Sequence, residues 1–251
     1  MELDRYSPKE QQRIADLMRL LPRGRRNVLE IGARDGYFSV LLLEHFQQVT
    51  ALDLETPRID HPGITPVRGD ATSLQFGDGS FDVVLCSEVL EHIPEPGLGR
   101  AAAELQRVAR CEVVVGVPYR QDLRVGRTRC AHCGRRNPPW GHVNRFDRRR
   151  LRRLFDRCRV VEESLVGSGV ERTNFLSDWL MNLAGDPYGV YEQQEPCIHC
   201  GFPLVRPAPP KSWRRLAAKA GARLVQLQSR LARPRPIWLH AVLAKRDCPA
   251  G

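Results

Sequence analysis

Residues Asn27 to Phe38 read N-V-L-E-I-G-A-R-D-G-Y-F. The apolar run Val28-Leu29-Glu30-Ile31 stops at Gly32. A polar turn passes through Ala33, Arg34 and Asp35 to Gly36. An apolar helical pattern then starts at Tyr37 and Phe38 and continues through Val40, Leu41 and Leu42. In the order strand, glycine turn, helix, backbone N–H groups and a helix N-terminus approach a ligand closely, because glycine has no Cβ to clash. By itself this is an ordinary tight turn, and its meaning depends on what stands at set distances beyond it.

Upstream, Ser7-Pro8-Lys9-Glu10 predicts a helix start: an N-cap serine, proline at the first helical position and glutamate three residues after the cap. Ile14, Leu17, Met18 and Leu21 share one face of that helix before Pro22. Downstream, residues 49–53, 64–68, 81–86, 112–117 and 159–165 read as strands, and 236–245 as a last one. Helices are expected over 37–46, 97–107 and 147–156. Continuous apolar strands alternating with helices predict an α/β fold whose parallel sheet is covered on both faces.

The chain of 251 residues has room for one large α/β domain and a small appendage. Its start, M-E-L-D-R-Y, lacks an apolar leader, and no apolar run reaches transmembrane length, so a cytoplasmic location is expected. The net charge of +10 is unevenly spread. Residues 120–159 hold fourteen Arg against three acids, and residues 201–251 hold eleven Lys or Arg against one, so two basic segments sit on an acidic remainder. That asymmetry suggests an anionic partner.

Four of the eight cysteines form two matching units, Cys130-Ala-His-Cys133-Gly and Cys197-Ile-His-Cys200-Gly. Two thiolates on a tight glycine turn, twice, is the spacing of a closed four-thiolate zinc site with a structural role. The expected metal ligands are Cys130, Cys133, Cys197 and Cys200; four unrelated reduced thiols are the plainer reading. His132 and His199 inside the units are substitute ligands. Cys86, Cys111 and Cys158 lie in or beside apolar runs and read as buried thiols.

The order of motifs resembles the class I S-adenosylmethionine-dependent methyltransferases of the type 11-like branch. It is carried by Glu30-Ile-Gly-Ala-Arg-Asp-Gly36, Thr50-Ala-Leu-Asp53, Arg68-Gly-Asp-Ala71 and Phe81-Asp-Val-Val-Leu-Cys-Ser-Glu-Val-Leu-Glu-His92, and more weakly by Gly141-His142-Val-Asn-Arg-Phe146. The resemblance covers residues 1–165 and the last strand, not the cysteine insert. It implies a Rossmann-like, doubly wound, seven-stranded, mostly parallel sheet with the last strand antiparallel, to which the cysteine spacing adds a small zinc-binding insertion. Expected cofactor contacts are Glu30, Gly32, Ala33, Gly36, Asp53, Leu54, Asp70, Ala71 and Ser87. In these, Asp53 takes the ribose hydroxyls and Asp70 the adenine amine, with Ala71 offering its N–H. Arg34 stands where many members have glycine. A nicotinamide-dependent dehydrogenase is the runner-up, but the G-x-G-x-x-G pyrophosphate turn is missing.

The resemblance also divides the chain. Residues 1–119 form the cofactor half; 120–146 and 166–211 are the zinc-knuckle insertions on the acceptor side; 147–165 and 236–247 complete the sheet; and 212–233 is a basic amphipathic helix. The sulfonium already activates the methyl group, so the protein must position the acceptor and remove a proton. Glu91, His92 and His142 are the candidates, and each also reads as an ordinary helix-start or loop residue. The Arg-rich insert favours a small anionic acceptor, such as a sugar, a lipid-linked molecule or a secondary metabolite, methylated on O or N. An RNA methyltransferase is one alternative and a non-catalytic binding module for S-adenosylmethionine and zinc another. The 212–233 helix is expected to cover the sheet, with peripheral membrane contact as the other reading.

Overall fold

The computed structural model describes residues 7–246 and Cys248. The chain forms two compact units: one of residues up to Tyr119, Phe146–Gly167 and Pro236 onward, the other of Arg120–Arg145 and Ser168–Arg235.

In the first unit, helix α1 (Pro8–Leu20) starts at a capping box. The Glu10 backbone N–H donates to the Ser7 hydroxyl (3.3 Å), and the Ser7 N–H donates to the Glu10 carboxylate (3.0 Å). Then follow β1 (Asn27–Ile31), α2 (Tyr37–Leu42), β2 (Gln48–Asp53), β3 (Ile64–Arg68), β4 (Phe81–Ser87), α3 (Gly97–Val108) and β5 (Ala109–Pro118). The second unit supplies β6 (Thr128–Arg129) and β7 (Arg136–Asn137). The chain returns to the first for α4 (Arg148–Leu154) and β8 (Cys158–Val166), leaves for α5 (Phe175–Ala184) and α6 (Ser212–Leu231), and closes with β9 (Trp238–Lys245).

Seven strands lie in the order β3-β2-β1-β4-β5-β9-β8. The pairs from β3 to β5 are parallel, and β9 runs antiparallel to both its neighbours. The expected sheet is therefore the observed one. Its physical basis shows in β4. Val84 and Cys86 enter a core with Leu98 and Leu105 of α3, while Val83 and Leu85 enter a second core with Leu17 and Leu20 of α1. Side chains alternate across a strand, so a strand buried on both faces must read as an unbroken apolar run. Each fully buried aliphatic side chain contributes about 1.5–3 kcal/mol. Pro66 sits in β3, at the sheet edge, where its missing N–H costs no ladder bond.

In the second unit, β6 and β7 pair antiparallel around the first cysteine turn. The apolar core there is small: Cys130, Tyr191, Cys197 and Leu204, with Cys133 packed against them. Charge takes over much of the bracing. Arg136 grips Asp186 with two hydrogen bonds (2.9 and 2.7 Å) and Asp178 with two more (2.8 and 3.3 Å). Arg127 reaches Asp178 (3.2 Å), and Arg129 reaches Asp186 (3.4 Å) and Asn182 (2.5 Å).

Three expectations are corrected. Cys111 is not a buried thiol: it is disulfide-bonded to Cys248. The cause is register, since β9 runs back along the start of β5, with Ala244 opposite Glu112, and so returns the chain beside Cys111. The helix expected over 37–46 ends at Leu42, and turns carry the chain to Phe46. The basic helix does not use its large apolar residues as a cover. Its buried residues are Ala218 and Gly221, it packs on α5, and Trp213, Leu216, Leu227 and Leu231 are exposed. No described helix is long and apolar enough to cross a membrane.

Candidate functional site

The C-terminal ends of β1, β2 and β3 gather the expected cofactor residues. Gly32 and Gly36 both have positive φ (84° and 75°), and a Cβ on Gly32 would run into Val89. The Gly32 and Ala33 N–H groups donate to Leu52 O (2.8 and 3.2 Å), tying the turn to the end of β2. Asp53 completes that tie. Its carboxylate accepts from the N–H of Arg34 (2.8 Å) and from that of Leu54 (2.7 Å). Arg34 itself has φ 47°, the left-handed conformation that favours glycine. Asp70 accepts from the Thr72 N–H (2.7 Å) at the end of β3, beside buried Ala71.

Glu30 is buried and its carboxylate accepts from the Ser39 hydroxyl. Burial pushes its carboxyl up to about 7 against that hydrogen bond. Its side chain thus braces β1 against α2, beneath the turn.

Past β4 the polar groups are less well satisfied. Ser87 accepts from Arg13 (3.2 Å). Glu88 has φ 56°, and one carboxylate oxygen accepts from the Trp238 indole (3.1 Å) while the other is buried without a partner. Glu91 is fully buried, and neither carboxylate oxygen has a hydrogen-bond partner among the described residues. Burial, reinforced by the nearby Glu88 charge, pushes the Glu91 carboxyl well above its ordinary range. An unmet buried carboxylate is costly unless it is protonated or meets a ligand. Glu91 and His92 place ligand atoms within 4.8 Å of each other, a pair suited to holding a proton or a cation.

His142 belongs to the second unit. Its Nδ1 lies 2.7 Å from Gln121 Oε1, which accepts the ring proton. It lines a cavity of about 370 Å³ together with Leu123, Arg127, Arg136 and Val143. That volume suits a small molecule. The expected arginine field around it is mostly spent. Arg124 pairs with Asp122 (2.8 Å), and Arg127, Arg129 and Arg136 meet Asp178 and Asp186. Three guanidiniums against two carboxylates leave a modest positive excess.

The four expected cysteines converge. Cys130 and Cys200 Sγ are 3.7 Å apart, Cys133 and Cys197 Sγ 3.6 Å, and all four lie within 4.8 Å of one another. A tetrahedral ion with Zn–S of about 2.3 Å requires S···S of about 3.8 Å, so the set fits zinc. The two turns are near copies. Gly134 (φ 71°) donates to Cys130 O (3.0 Å) and Gly201 (φ 70°) to Cys197 O (2.8 Å). The substitute imidazoles are otherwise engaged: His132 stacks on Phe202, and His199 Nε2 lies 3.1 Å from Arg136 O.

Residues 29–115 match the family model described as a methyltransferase domain. An uncharacterized methyltransferase of Mycobacterium sp. (strain KMS) is 37% identical over 93 residues, 35% of this chain and 36% of that protein. A ubiquinone biosynthesis O-methyltransferase of Albidiferax ferrireducens is 31% identical over 98 residues, 34% of this chain and 39% of that one. The chain thus matches little more than a third of the length of these curated relatives. The N-methyltransferase NodS of Bradyrhizobium japonicum, solved with S-adenosyl-L-homocysteine, shares the fold: TM-score 0.52 at 17% identity, covering 96% of this chain and 89% of that one. The seven-stranded sheet and the Gly32–Gly36 turn after β1 are those of an α/β domain. Over residues 29–115, which run from β1 into β5, the chain is similar to methyltransferase domains.

Proposed function

We propose that the protein transfers a methyl group from S-adenosylmethionine to an oxygen, or failing that a nitrogen, of a small acceptor with an anionic group. The Gly32–Gly36 turn, Asp53 and Asp70, set at the ends of three adjacent parallel strands, carry the cofactor reading. Oxygen is preferred because the A. ferrireducens relative is named an O-methyltransferase. In this reading Ala71, Leu54 and Ser87 complete the cofactor contacts, and Glu30 supports the turn from below.

Glu91 is the preferred base, with His92 beside it. Burial raises its pKa well above the ordinary carboxylate range, so turnover should rise with pH as the carboxyl ionises. His142 serves acceptor binding in the second unit. Residues 120–146 and 166–211 hold one structural zinc ion through Cys130, Cys133, Cys197 and Cys200; 1–119 is the cofactor half, and 147–165 with 236–247 completes its sheet.

Titration with S-adenosylhomocysteine tests the cofactor site: Asp53→Ala should weaken binding about tenfold or more, as expected for lost bonds to a charged group. Labelled cofactor in fractionated extract then tests the acceptor. Label entering small polar metabolites supports the reading; label entering RNA, or entering nothing while S-adenosylhomocysteine binds, overturns it. Glu91→Gln should abolish turnover at unchanged cofactor affinity. A cytoplasmic location is proposed with a direct check. Of the eight cysteines, six are free in this structure. Protein isolated under thiol-blocking conditions and then denatured should show all eight as thiols if its compartment is reducing, and six if the Cys111–Cys248 bond forms there.

A further inference from the structure

Two helices of the second unit turn apolar faces to water. α6 seats on α5 through small residues: a Cβ on Gly221 would lie 3.3 Å from Leu180 Cβ, Met181 Cε and Ser177 O. Away from that contact, Trp213, Leu216, Leu227 and Leu231 recur at helical spacing along one stripe. They are 56, 70, 54 and 79% exposed. Arg215, Lys219, Arg223 and Arg230 form the neighbouring stripe, and all are exposed. No Asp or Glu occurs anywhere from Lys211 to Arg235. On α5, Phe175, Trp179 and Leu183 are likewise exposed, with Phe175 at 80%. Exposed single apolar residues are common, but two adjoining helices that each show an apolar stripe are not.

We propose that α5 and α6 dock the protein on a bilayer surface rich in anionic lipid. Tryptophan and leucine side chains enter the boundary between headgroups and acyl chains, and the basic stripe meets lipid phosphates. Charge decides between this occupant and a second copy of the chain. A two-fold contact through α6 would press two basic stripes together with no acid on the helix to answer them. A dissolved polyanion would satisfy the arginines and leave Trp213, Leu216 and Leu231 in water. Only an anionic surface with an apolar interior answers both stripes.

Co-sedimentation of the full chain with phosphatidylcholine vesicles, with and without phosphatidylglycerol, tests this. Binding should be about tenfold or more stronger with the anionic lipid, weaken in high salt and shift tryptophan emission to the blue. Trp213→Ser with Leu216→Ser should lower partitioning about tenfold, and Arg215→Ser with Arg223→Ser should lower it and remove the salt dependence. All four positions are exposed, so unchanged thermal unfolding and unchanged S-adenosylhomocysteine affinity are expected and certify the variants. Docking does not depend on methyl transfer, so failure of one leaves the other standing. Three results overturn the proposal: no enrichment on anionic vesicles, partitioning that survives the Trp213/Leu216 substitutions, or a vesicle-free dimer that those substitutions dissociate.

Discussion

The two units are held together by different forces. The first stacks aliphatic side chains into a core on each face of one sheet. The second has a core of four residues, two of them cysteines, and fastens itself with thiols and arginine–carboxylate bonds while its largest apolar side chains face water. Burial grows with size and layering, so a small unit that exposes its apolar side chains must be stapled by other means. The apolar residues of α5 and α6 are thereby released from holding the fold.

If so, removing the metal should separate the units most. Zinc binding to such sites is worth about 10 kcal/mol or more of folding free energy. A strong chelator, or Cys130→Ser with Cys197→Ser, should open residues 120–145 and 168–235 to proteases while the first unit still binds S-adenosylhomocysteine. Elemental analysis should find one zinc per chain. Protein that contains none, and a double variant as protease-resistant as its parent, would refute the staple.

The next test sets one charge against one side chain. Asp186 is almost wholly buried and relies on Arg136 and Arg129. Arg136→Leu leaves that carboxylate short of partners and should destabilise the second unit by about 3–5 kcal/mol. Replacing both, Arg136→Leu with Asp186→Leu, should recover part of the loss because no charge is left stranded. In the first unit the matching change is apolar: Leu85→Ala should cost about 2–4 kcal/mol. Chemical unfolding followed by a probe in each unit compares them. Equal loss in both units from Arg136→Leu would mean that the units unfold as one.

The same contrast explains what could be read from the sequence. Val83 to Cys86 announces a doubly covered strand, because burial on both faces leaves no polar position. Gly32 and Gly36 announce a turn that other residues cannot make. The cysteine pairs are legible because each pair sits on one tight turn, and the two turns bring four thiols within 4.8 Å of one another. By contrast α5, F-L-S-D-W-L-M-N-L-A, has apolar residues on its packed and its exposed face alike, so the pattern does not say which of its apolar faces meets water. The bonds from Arg136 to Asp178 and Asp186 span 42 and 50 residues, and the Cys111–Cys248 bond spans 137; neither leaves a local pattern. Three of the arginines read as a field for an anionic acceptor, Arg127, Arg129 and Arg136, answer those distant carboxylates.

At the glycine turn, Gly32→Ala would force a side chain into φ 84° and against Val89. A cost of about 1–3 kcal/mol is expected, with S-adenosylhomocysteine affinity falling alongside. The second unit's protease resistance should not change.

The smallest effect is expected within the first unit, where α1 meets β8 and β9. His240 is fully buried, its Nδ1 lies 2.7 Å from Asp16, and Asp16 also accepts from Ser164 and Arg19. Burial pulls the His240 pKa below 6.5, against the opposing pull of Asp16. Burial pushes Asp16 up, but the bonds from His240, Arg19 and Ser164 outweigh it and hold the carboxyl below 3.8. Both groups therefore bind fewer protons folded than unfolded. The His240 contribution is present above pH 6.5 and is lost as pH falls below that toward its folded value; the Asp16 contribution goes later, below 3.8. Glu30, Glu88 and Glu91 act with the opposite sign, since burial raises each of them and their contribution is lost as pH rises above about 4.5. The net slope of the parent therefore mixes both signs, and only its difference from a variant isolates the histidine. His240→Gln should remove a positive slope of at most about 1.4 kcal/mol per pH unit below pH 6.5, read as urea midpoints at a series of pH values. Parallel curves for parent and variant would mean that His240 keeps an ordinary pKa in the fold, and that α1 is held to β9 by packing rather than by this bond.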